Sequence, residues 1–213
     1  DYLILSIAIF SLGFMEDIKF RISPKYRLIL MIGILIFFII TFSIDIRSVD
    51  LRFLNTWMTS DIFSIAFILL CFLFIINGAN LVDGFNGLLI IHLIIINFIL
   101  LVLNLNNNNQ DLAIPISAQI VVLLSLLLFN FPKSKIFLGD GGSYLFGSLL
   151  ALNIIKTNNA NQEISSFFFC VLLFYLFFEV FFSFFRKLFL KKSPLKPDRK
   201  HLHMLFADPL SLH

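Results

Sequence analysis

The sequence has little charge for its length of 213 residues. Charged side chains account for 14% of the residues, whereas soluble globular proteins average roughly a quarter. Hydrophobic residues make up 59%, and the mean hydropathy is +0.97. The shortage of charge therefore excludes a soluble globular domain.

Cysteine is also scarce. The two that occur, Cys71 and Cys170, each lie inside an apolar run. Two isolated thiols support neither a disulfide framework nor a thiolate metal site, so we expect both to serve as small apolar packing residues.

The apolar residues are concentrated in seven long runs of Leu, Ile and Phe, separated by short polar stretches. The runs cover residues 2–15, 28–44, 62–76, 88–103, 113–129, 144–155 and 164–185. An outer-membrane barrel would instead show short segments of alternating polarity. The pattern predicts an all-α, polytopic transmembrane helix bundle with about seven membrane segments, forming one integral-membrane domain over residues 1–213.

The first residues show no initiator Met and no basic n-region, so they do not predict a signal peptide. We expect the sequence to be an internal piece of a longer protein, and we leave open a truncation at the C-terminal end.

Basic residues alternate between the polar connections. Thirteen of the 16 Lys and Arg lie in the first, third, fifth and seventh polar stretches, and three lie in the others. The positive-inside rule makes the basic set cytoplasmic. Membrane topology therefore explains the pI near 8.9, and a nucleic-acid partner is not expected.

The first cytoplasmic connection begins with adjacent carboxylates, Glu16 and Asp17, directly after an apolar run. Two neighbouring acids at a membrane boundary repel each other and need a cation, a proton or nearby bases to offset the cost. The pair predicts a functional acidic site, and an acidic-basic helix cap is the alternative.

The second cytoplasmic connection, from Asn77 to Gly87, is the third polar stretch and is rich in Asn, Asp and Gly. Its polar side chains recur at every third position, namely Asn77, Asn80, Asp83 and Asn86. Amide and carboxylate oxygens on a glycine-permissive segment suit a hard cation or a polar ligand group. A plain Asn/Gly loop is the alternative.

The third connection contains a glycine-rich turn that leads into the sixth run. Backbone N–H groups at such a helix start can bind phosphate. The predicted phosphate-binding residues are Lys135, Gly139, Gly141, Gly142 and Ser143. Asp140 opposes an anion by itself, and a divalent cation between its carboxylate and the phosphate would resolve the conflict.

The fourth connection carries a basic cluster with two histidines. Arg199, His201 and His203 are candidates for phosphate binding, whereas His-x-His alone is a weak metal signal. Lys187, Lys191 and Lys192 are interpreted as juxtamembrane anchors.

Two ionisable residues lie inside apolar runs. Glu179 is costly in lipid, so it is either a site-facing group or a structural carboxylate paired across the bundle. His92 is interpreted as a buried or snorkelling histidine rather than a ligand.

Taken in order, the four connections resemble those of the polyprenyl-phosphate N-acetylhexosamine-1-phosphate transferases. The motifs that carry the resemblance are GFMEDIKFRISPKYRL, NGANLVDGFNGL, FLGDGGSYLFG and SPLKPDRKHLHML, and they cover about residues 10 to 205. This branch starts the synthesis of O-antigen, enterobacterial common antigen and teichoic acid linkage units.

The resemblance implies a role for each matching residue. The paired acids correspond to Glu16 and Asp17, the Asn/Asp segment to Asn80 and Asp83, the magnesium carboxylate to Asp140, and the histidine motif to His201 and His203. Glu16 replaces a common Asp, and Met204 replaces a common His, so a role for that last histidine does not transfer. Family members are also longer at the N-terminus, so the resemblance implies further helices upstream of Asp1.

The implied reaction moves N-acetylhexosamine-1-phosphate from a UDP-sugar to undecaprenyl or another polyprenyl phosphate and releases UMP. It implies catalytic roles for Glu16, Asp17 and Asp83, and Mg²⁺ held by Asp140 with Asn80 as co-ligand, with Mn²⁺ as an alternative ion. Asn77 and Asn86 are grouped with the substrate-binding residues. The implied location is the bacterial inner membrane with a cytoplasmic active-site cleft, and a homodimer is left open.

Two other functions compete with this interpretation. The related phospho-N-acetylmuramoyl-pentapeptide transferase performs the same chemistry, but PDRKHLH resembles the hexosamine branch more closely. A cation-coupled secondary transporter would place its acids near the membrane midplane, whereas these acids lie at one membrane boundary.

Overall fold

The computed structural model describes residues 1–20 and 22–191, and in these residues it contains nine α-helices and no strand. The helices are α1 (Tyr2–Asp17), α2 (Pro24–Thr41), α3 (Arg52–Met58), α4 (Asp61–Val82), α5 (Leu88–Asn106), α6 (Gln110–Asn130), α7 (Gly139–Ala160), α8 (Ser166–Leu172) and α9 (Phe174–Phe189). The predicted all-α class is confirmed.

Helix α7 is the central element of the bundle. Sixteen of its 22 residues are buried, and it packs against α1, α4, α5 and α6. Glycines permit the closest approaches. A Cβ on Gly147 would lie 3.0 Å from the Ile76 Cα, and one on Gly13 would lie 2.4 Å from the Asp140 carbonyl oxygen. The backbones of α1 and α4 therefore reach α7 directly.

Four helices are long and apolar enough to cross a membrane, namely α2, α4, α5 and α6. The pair α8 and α9 adds a fifth if it forms one span, although its two helices meet at a bend of 65°. The seven predicted runs coincide with α1, α2, α4, α5, α6, α7 and the α8–α9 pair. Helix α1 has 16 residues and falls short of the span length, so seven crossings stay a prediction.

Two local features differ from the sequence prediction. A seven-residue helix, α3, forms in the polar connection between the second and third apolar runs, where the sequence predicts no helix. The run 164–185 was predicted as one segment, but it breaks at Leu173. Neither proline nor glycine marks this break, so the sequence offered no local signal for it.

A neutral polar network lies in the middle of the bundle. Asn153 on α7 donates to Asn97 Oδ1 at 3.0 Å and to Gln119 Oε1 at 2.8 Å. Its own Oδ1 accepts a hydrogen bond from the Tyr2 hydroxyl at 2.8 Å. Because the amide of Asn153 is satisfied by residues of α1, α5 and α6, it fixes the position of α7 among these three helices.

The ends of the helices divide the polar connections into two groups. The end of α1, the start of α2, the end of α4, the start of α5, the end of α6 and the start of α7 meet at one end of the bundle. These are the connections that the charge bias predicts to share a membrane side. The opposite end joins α7 to the α2–α3 connection through Asn159 and the backbone of Asp45.

A candidate active site at one end of the bundle

Four carboxylates, Glu16, Asp17, Asp83 and Asp140, gather at this end of the bundle. They come from the last turn of α1, the residue that follows α4, and the first turn of α7. We call these four residues the acidic cluster. The short connection after α1, the helix end at Val82 and the glycine turn at Gly139 bring the four side chains together.

Asp17 caps the first turn of α7. Its Oδ1 accepts the Asp140 N–H at 2.9 Å, and its Oδ2 accepts the Gly141 N–H at 2.8 Å. The position is favourable because a helix start carries unpaired N–H groups and partial positive charge. Gly139 has φ +69°, and a Cβ there would lie 2.8 Å from Asp17 Oδ1, so the close approach requires glycine.

This contact changes the interpretation of the glycine turn. The sequence predicts a phosphate site at these N–H groups, but two of them already donate to the Asp17 carboxylate. The physical reason is that a helix start attracts any nearby anion, and Asp17 is the anion that the chain itself supplies.

Asp140 is held by two side chains. Its Oδ1 accepts a hydrogen bond from Asn80 Nδ2 at 2.6 Å, and its Oδ2 lies 3.5 Å from Arg27 Nη1. The same Nη1 lies 2.7 Å from Glu16 Oε2. One guanidinium is therefore shared between carboxylates from two helices, and it also stands 5.7 Å from the Tyr144 ring centre.

Asn80 acts on α7 through its amide nitrogen. Besides the bond to Asp140, Nδ2 donates to Ser143 Oγ at 3.1 Å, and Ser143 in turn donates to the Asp140 carbonyl at 3.2 Å. Asn80 therefore contacts Asp140 through a donor atom, and its implied role as a metal co-ligand stays a prediction. In this structure Asn80 orients Asp140.

Asp83 is the half-buried member of the acidic cluster that follows α4. Burial, together with the negative charges of Asp140 and Asp17, raises the pKa of its carboxyl from 3.8 to about 7. Ionised Asp83 is costly here, so the cluster holds more negative charge than its surroundings stabilise.

The other predicted residues of the second and third connections make contacts within the chain. Asn77 donates to the Leu73 carbonyl of its own helix at 2.7 Å. Asn86 donates to the Pro132 carbonyl at 3.2 Å. Lys135 is exposed and folds back through its backbone N–H, which donates to the Phe129 carbonyl at 2.8 Å, whereas Gly142 is buried.

The histidine motif lies outside the described residues. Arg199, His201, His203 and the anchor residue Lys192 all fall beyond residue 191. Their predicted roles in phosphate binding and membrane anchoring stay predictions.

The buried face of α9 corrects the interpretation of Lys187. Glu179, Ser183 and Lys187 are all buried at helical spacing, and Lys187 is 6% exposed. Lys187 therefore packs against the bundle and is not a surface anchor, whereas Lys191 is exposed. Its four-residue spacing from Ser183 and eight-residue spacing from Glu179 was the signal for this shared face.

Glu179 and His92 lie together beside Tyr175. The Tyr175 hydroxyl donates to Glu179 Oε1 at 3.3 Å, and the His92 ring packs edge-on against the Tyr175 ring. His92 is half-buried between helices, as interpreted from the sequence. The contact between Tyr175 and Glu179 lies within α9, and both interpretations of Glu179 stay predictions.

The residues of the acidic cluster fit a magnesium ion that also contacts a substrate. Within the described ranges, no group of three or more His, Cys, Asp and Glu side chains forms a preorganised metal cage. Mg²⁺ at phosphate-transfer sites uses one or two carboxylates, waters and the substrate phosphates. Four acids, of which Glu16 and Asp140 share the Arg27 guanidinium, supply this kind of incomplete site.

Arg27 and Tyr144 are site residues that sequence reasoning missed. In the sequence, Arg27 is one of several bases that follow Glu16 and Asp17, and Tyr144 begins an apolar run, so neither is assigned a specific role in the site. The available signal was the position of Arg27 in the first turn of an otherwise apolar helix, on the same membrane side as the acids.

Comparison with known proteins agrees with this geometry. The glycosyl transferase family 4 profile matches residues 2–158. The chain is 28% identical over 206 residues to an undecaprenyl-phosphate alpha-N-acetylglucosaminyl 1-phosphate transferase of Thermotoga maritima, covering 97% of this chain and 61% of that protein. It is 32% identical over 159 residues to a phospho-N-acetylmuramoyl-pentapeptide-transferase of Dictyoglomus turgidum, covering 71% and 51%.

A third relative supports the same assignment. A probable undecaprenyl-phosphate N-acetylglucosaminyl 1-phosphate transferase of Bacillus subtilis is 27% identical over 198 residues, which is 90% of this chain and 53% of that protein. The chain thus spans between half and about three-fifths of the length of these relatives. The resemblance predicted from the four motifs is confirmed, and the chain belongs to glycosyl transferase family 4.

Proposed function

We propose that this protein transfers N-acetylhexosamine-1-phosphate from a UDP-sugar to undecaprenyl phosphate, or another polyprenyl phosphate, and releases UMP. The observation that carries the proposal is the acidic cluster, in which Asp140 is held by Asn80 and Arg27 at one end of a bundle of apolar helices. Two relatives are named for undecaprenyl-phosphate N-acetylglucosaminyl 1-phosphate transfer.

The reaction needs charge control more than covalent help from the protein. An oxygen of the lipid phosphate attacks the β-phosphorus of the UDP-sugar, the bond from that phosphorus to the bridging oxygen breaks, and UMP leaves with the bond electrons. The attacking phosphate has a second pKa near 6, so it is already largely ionised at neutral pH. Positioning and electrostatic stabilisation therefore carry most of the catalysis.

The acidic cluster divides this work among its members. Asp140 is the carboxylate that would hold Mg²⁺, with Mn²⁺ as the alternative, and Asn80 orients Asp140 by donating from Nδ2. The bound ion would supply positive charge for the diphosphate. Asp83, next to Asp140 in the electrostatic field of the cluster, is placed to complete the ion's carboxylate set or to orient the nucleotide-sugar.

Asp17 and Arg27 act as positioning groups in this proposal. Asp17 fixes the first turn of α7, and thus the backbone of Asp140, through two N–H groups. This contact supports positioning over proton removal as its role. Arg27 holds Glu16 beside Asp140 and supplies positive charge next to both carboxylates.

The charge bias of the connections supports a cytoplasmic site in a multi-pass protein of the bacterial inner membrane, where a UDP-sugar donor is available. The product would initiate a cell-surface polysaccharide. Transfer of phospho-N-acetylmuramoyl-pentapeptide is the second candidate, since a relative of that name is 32% identical over 71% of this chain.

The test is UMP release by the protein purified in detergent. Undecaprenyl phosphate would be supplied with UDP-N-acetylglucosamine, UDP-N-acetylgalactosamine or UDP-N-acetylmuramoyl-pentapeptide, in Mg²⁺ or in EDTA. We expect release that requires both the lipid and Mg²⁺, with an N-acetylhexosamine as donor. Release with the pentapeptide donor alone would establish the second candidate, and no release from folded protein with any donor would contradict both.

A further inference from the structure

Asn130, the last residue of α6, links two connections that carry acids of the site. Its side chain is 5% exposed, its Oδ1 accepts a hydrogen bond from the Gly87 N–H, and its Nδ2 donates to the Ile136 carbonyl at 2.8 Å. One buried side-chain amide is therefore bonded to the backbone of both connections, the one that contains Gly87 and the one that contains Ile136.

Each of these connections ends at a carboxylate of the acidic cluster. Gly87 closes the segment that begins at Asp83, and Ile136 lies in the segment that leads to Asp140. Asp83 and Asp140 interact electrostatically although they come from different helices. Their relative position therefore depends on how the two connections are joined.

The geometry around Gly87 shows that the junction is tightly built. Gly87 has φ +77°, and a Cβ there would lie 3.1 Å from Phe131 Cβ, so a side chain would strain the backbone and crowd Phe131. The backbone of 135–136 folds back onto Phe129, with the Lys135 N–H donating to its carbonyl at 2.8 Å. Asn86 adds an exposed bond to the Pro132 carbonyl.

We propose that Asn130 is a positioning residue that fixes Asp83 relative to Asp140 by holding both connections, and that it thereby sets the rate of the transfer step. The effect on the rate of transfer rests on the proposed function, whereas the role of Asn130 in holding the two connections together does not. Asn130 acts through the backbone of Gly87 and Ile136 and lies behind the carboxylates it positions.

The test compares Asn130→Ala and Asn130→Asp with a matched buried amide. Asn104 is the control, because it is also buried and donates to Thr157 Oγ1 at 2.9 Å, near the other end of α7. Asn104→Ala removes the same atoms at a distance from the site. Hydrogen exchange followed by mass spectrometry measures how fast the backbone amides of the two connections exchange. Steady-state kinetics give kcat and KM for the UDP-sugar.

We expect Asn130→Ala to speed exchange in peptides containing Gly87 and in peptides containing residues 135–136. Asn130→Asp keeps the acceptor for the Gly87 N–H and loses the donor to Ile136, so exchange should rise at 135–136 and stay slow at Gly87. Because a displacement of about 1 Å at a reacting centre can cost about 100-fold, kcat should fall by about 10- to 100-fold in Asn130→Ala, with a smaller change in KM.

The control separates positioning from general destabilisation. Asn104→Ala should lower thermal stability and leave kcat and exchange at Gly87 unchanged. Unchanged exchange in Asn130→Ala would overturn the proposal, and so would faster exchange with an unaltered kcat. If the unmodified protein releases no UMP but the exchange pattern is as expected, the holding role stands and the proposed function fails.

Discussion

Helix α7 carries two polar clusters that differ in charge. Near its middle, Asn153 is bonded to Tyr2, Asn97 and Gln119, all of them neutral. At its start, about 20 Å away along the helix axis, Asp140 belongs to the acidic cluster, in which Glu16 and Asp140 share the Arg27 guanidinium. The first cluster is complete within the protein, and the second has an excess of negative charge among the described residues.

This difference separates stability from function on one helix. A buried neutral network whose members hydrogen-bond to one another rigidifies a bundle and needs no ligand to complete its hydrogen bonds. A charge excess is costly in the absence of a cation, and it is retained where a cation or a charged substrate binds. The predictions below test whether the two clusters are as distinct as their charges indicate.

The largest effect should come from Asp140→Asn. The substitution keeps the shape of the side chain and removes the charge that would hold Mg²⁺, so turnover should fall by roughly 100-fold or more. UMP release in Mg²⁺ measures it, and size-exclusion chromatography checks the fold. Near-normal turnover would remove Asp140 from the metal role.

Asp61→Asn is the matched control for this substitution. Asp61 lies in the first turn of α4, at the opposite end of the helix that presents Asn80 and Asp83 to the site. It should retain full turnover. A comparable loss in Asp61→Asn would show that any lost carboxylate damages the protein.

Asn153→Leu should have the opposite signature. It removes three hydrogen bonds and leaves the Asn97 and Gln119 carbonyls unpaired, so the free energy of unfolding should drop by about 1–3 kcal/mol. Turnover per folded molecule should be retained. Thermal unfolding in detergent measures the first quantity, with Ser125→Ala, an exposed hydroxyl on α6, as a control that should change nothing.

The sequence predicts most of the helices and the side of the bundle that carries the site. Long apolar runs place the helices because every backbone group in lipid must be satisfied within its own segment. The charge bias then groups Glu16, Asp83 and Asp140 at one end. Both inferences use properties that each segment has by itself.

What the sequence does not predict are contacts between segments. The capping of α7 by Asp17 depends on the close approach of α1 to α7 at Gly13, and the sequence does not show which helices approach each other. The role of Arg27 depends on which carboxylates lie opposite it, and a topology-determining base looks the same in sequence. The bend at Leu173 likewise has no local signal in the sequence, since neither proline nor glycine lies near it.

Arg27→Gln should make the contrast between the clusters sharper. It removes the one guanidinium that Glu16 and Asp140 share, so their repulsion grows and the protein should be less stable in EDTA. Mg²⁺ should then raise the melting temperature by more than it does in the unmodified protein. An equal Mg²⁺-dependent shift in both proteins would mean that Arg27 does not balance the charge that the ion meets.

The smallest effect should be the pH dependence that Asp83 contributes. Its pKa is about 7 in the folded protein and 3.8 without burial, so the unfolded chain releases this proton at lower pH. The contribution of Asp83 to stability is therefore fully present below pH 3.8 and is lost as the pH rises to about 7. In EDTA, Asp83→Asn should gain stability over the unmodified protein across this window, and the gain should level off above it.

Melting temperatures measured at successive pH values in EDTA check this, with Asp111→Asn, an exposed acid in the first turn of α6, as the control that should show no such window. A constant difference between Asp83→Asn and the unmodified protein at all pH values would show that Asp83 titrates normally. In that case the acidic cluster tolerates its own charge, and the distinction between the two clusters of α7 would lie in geometry alone.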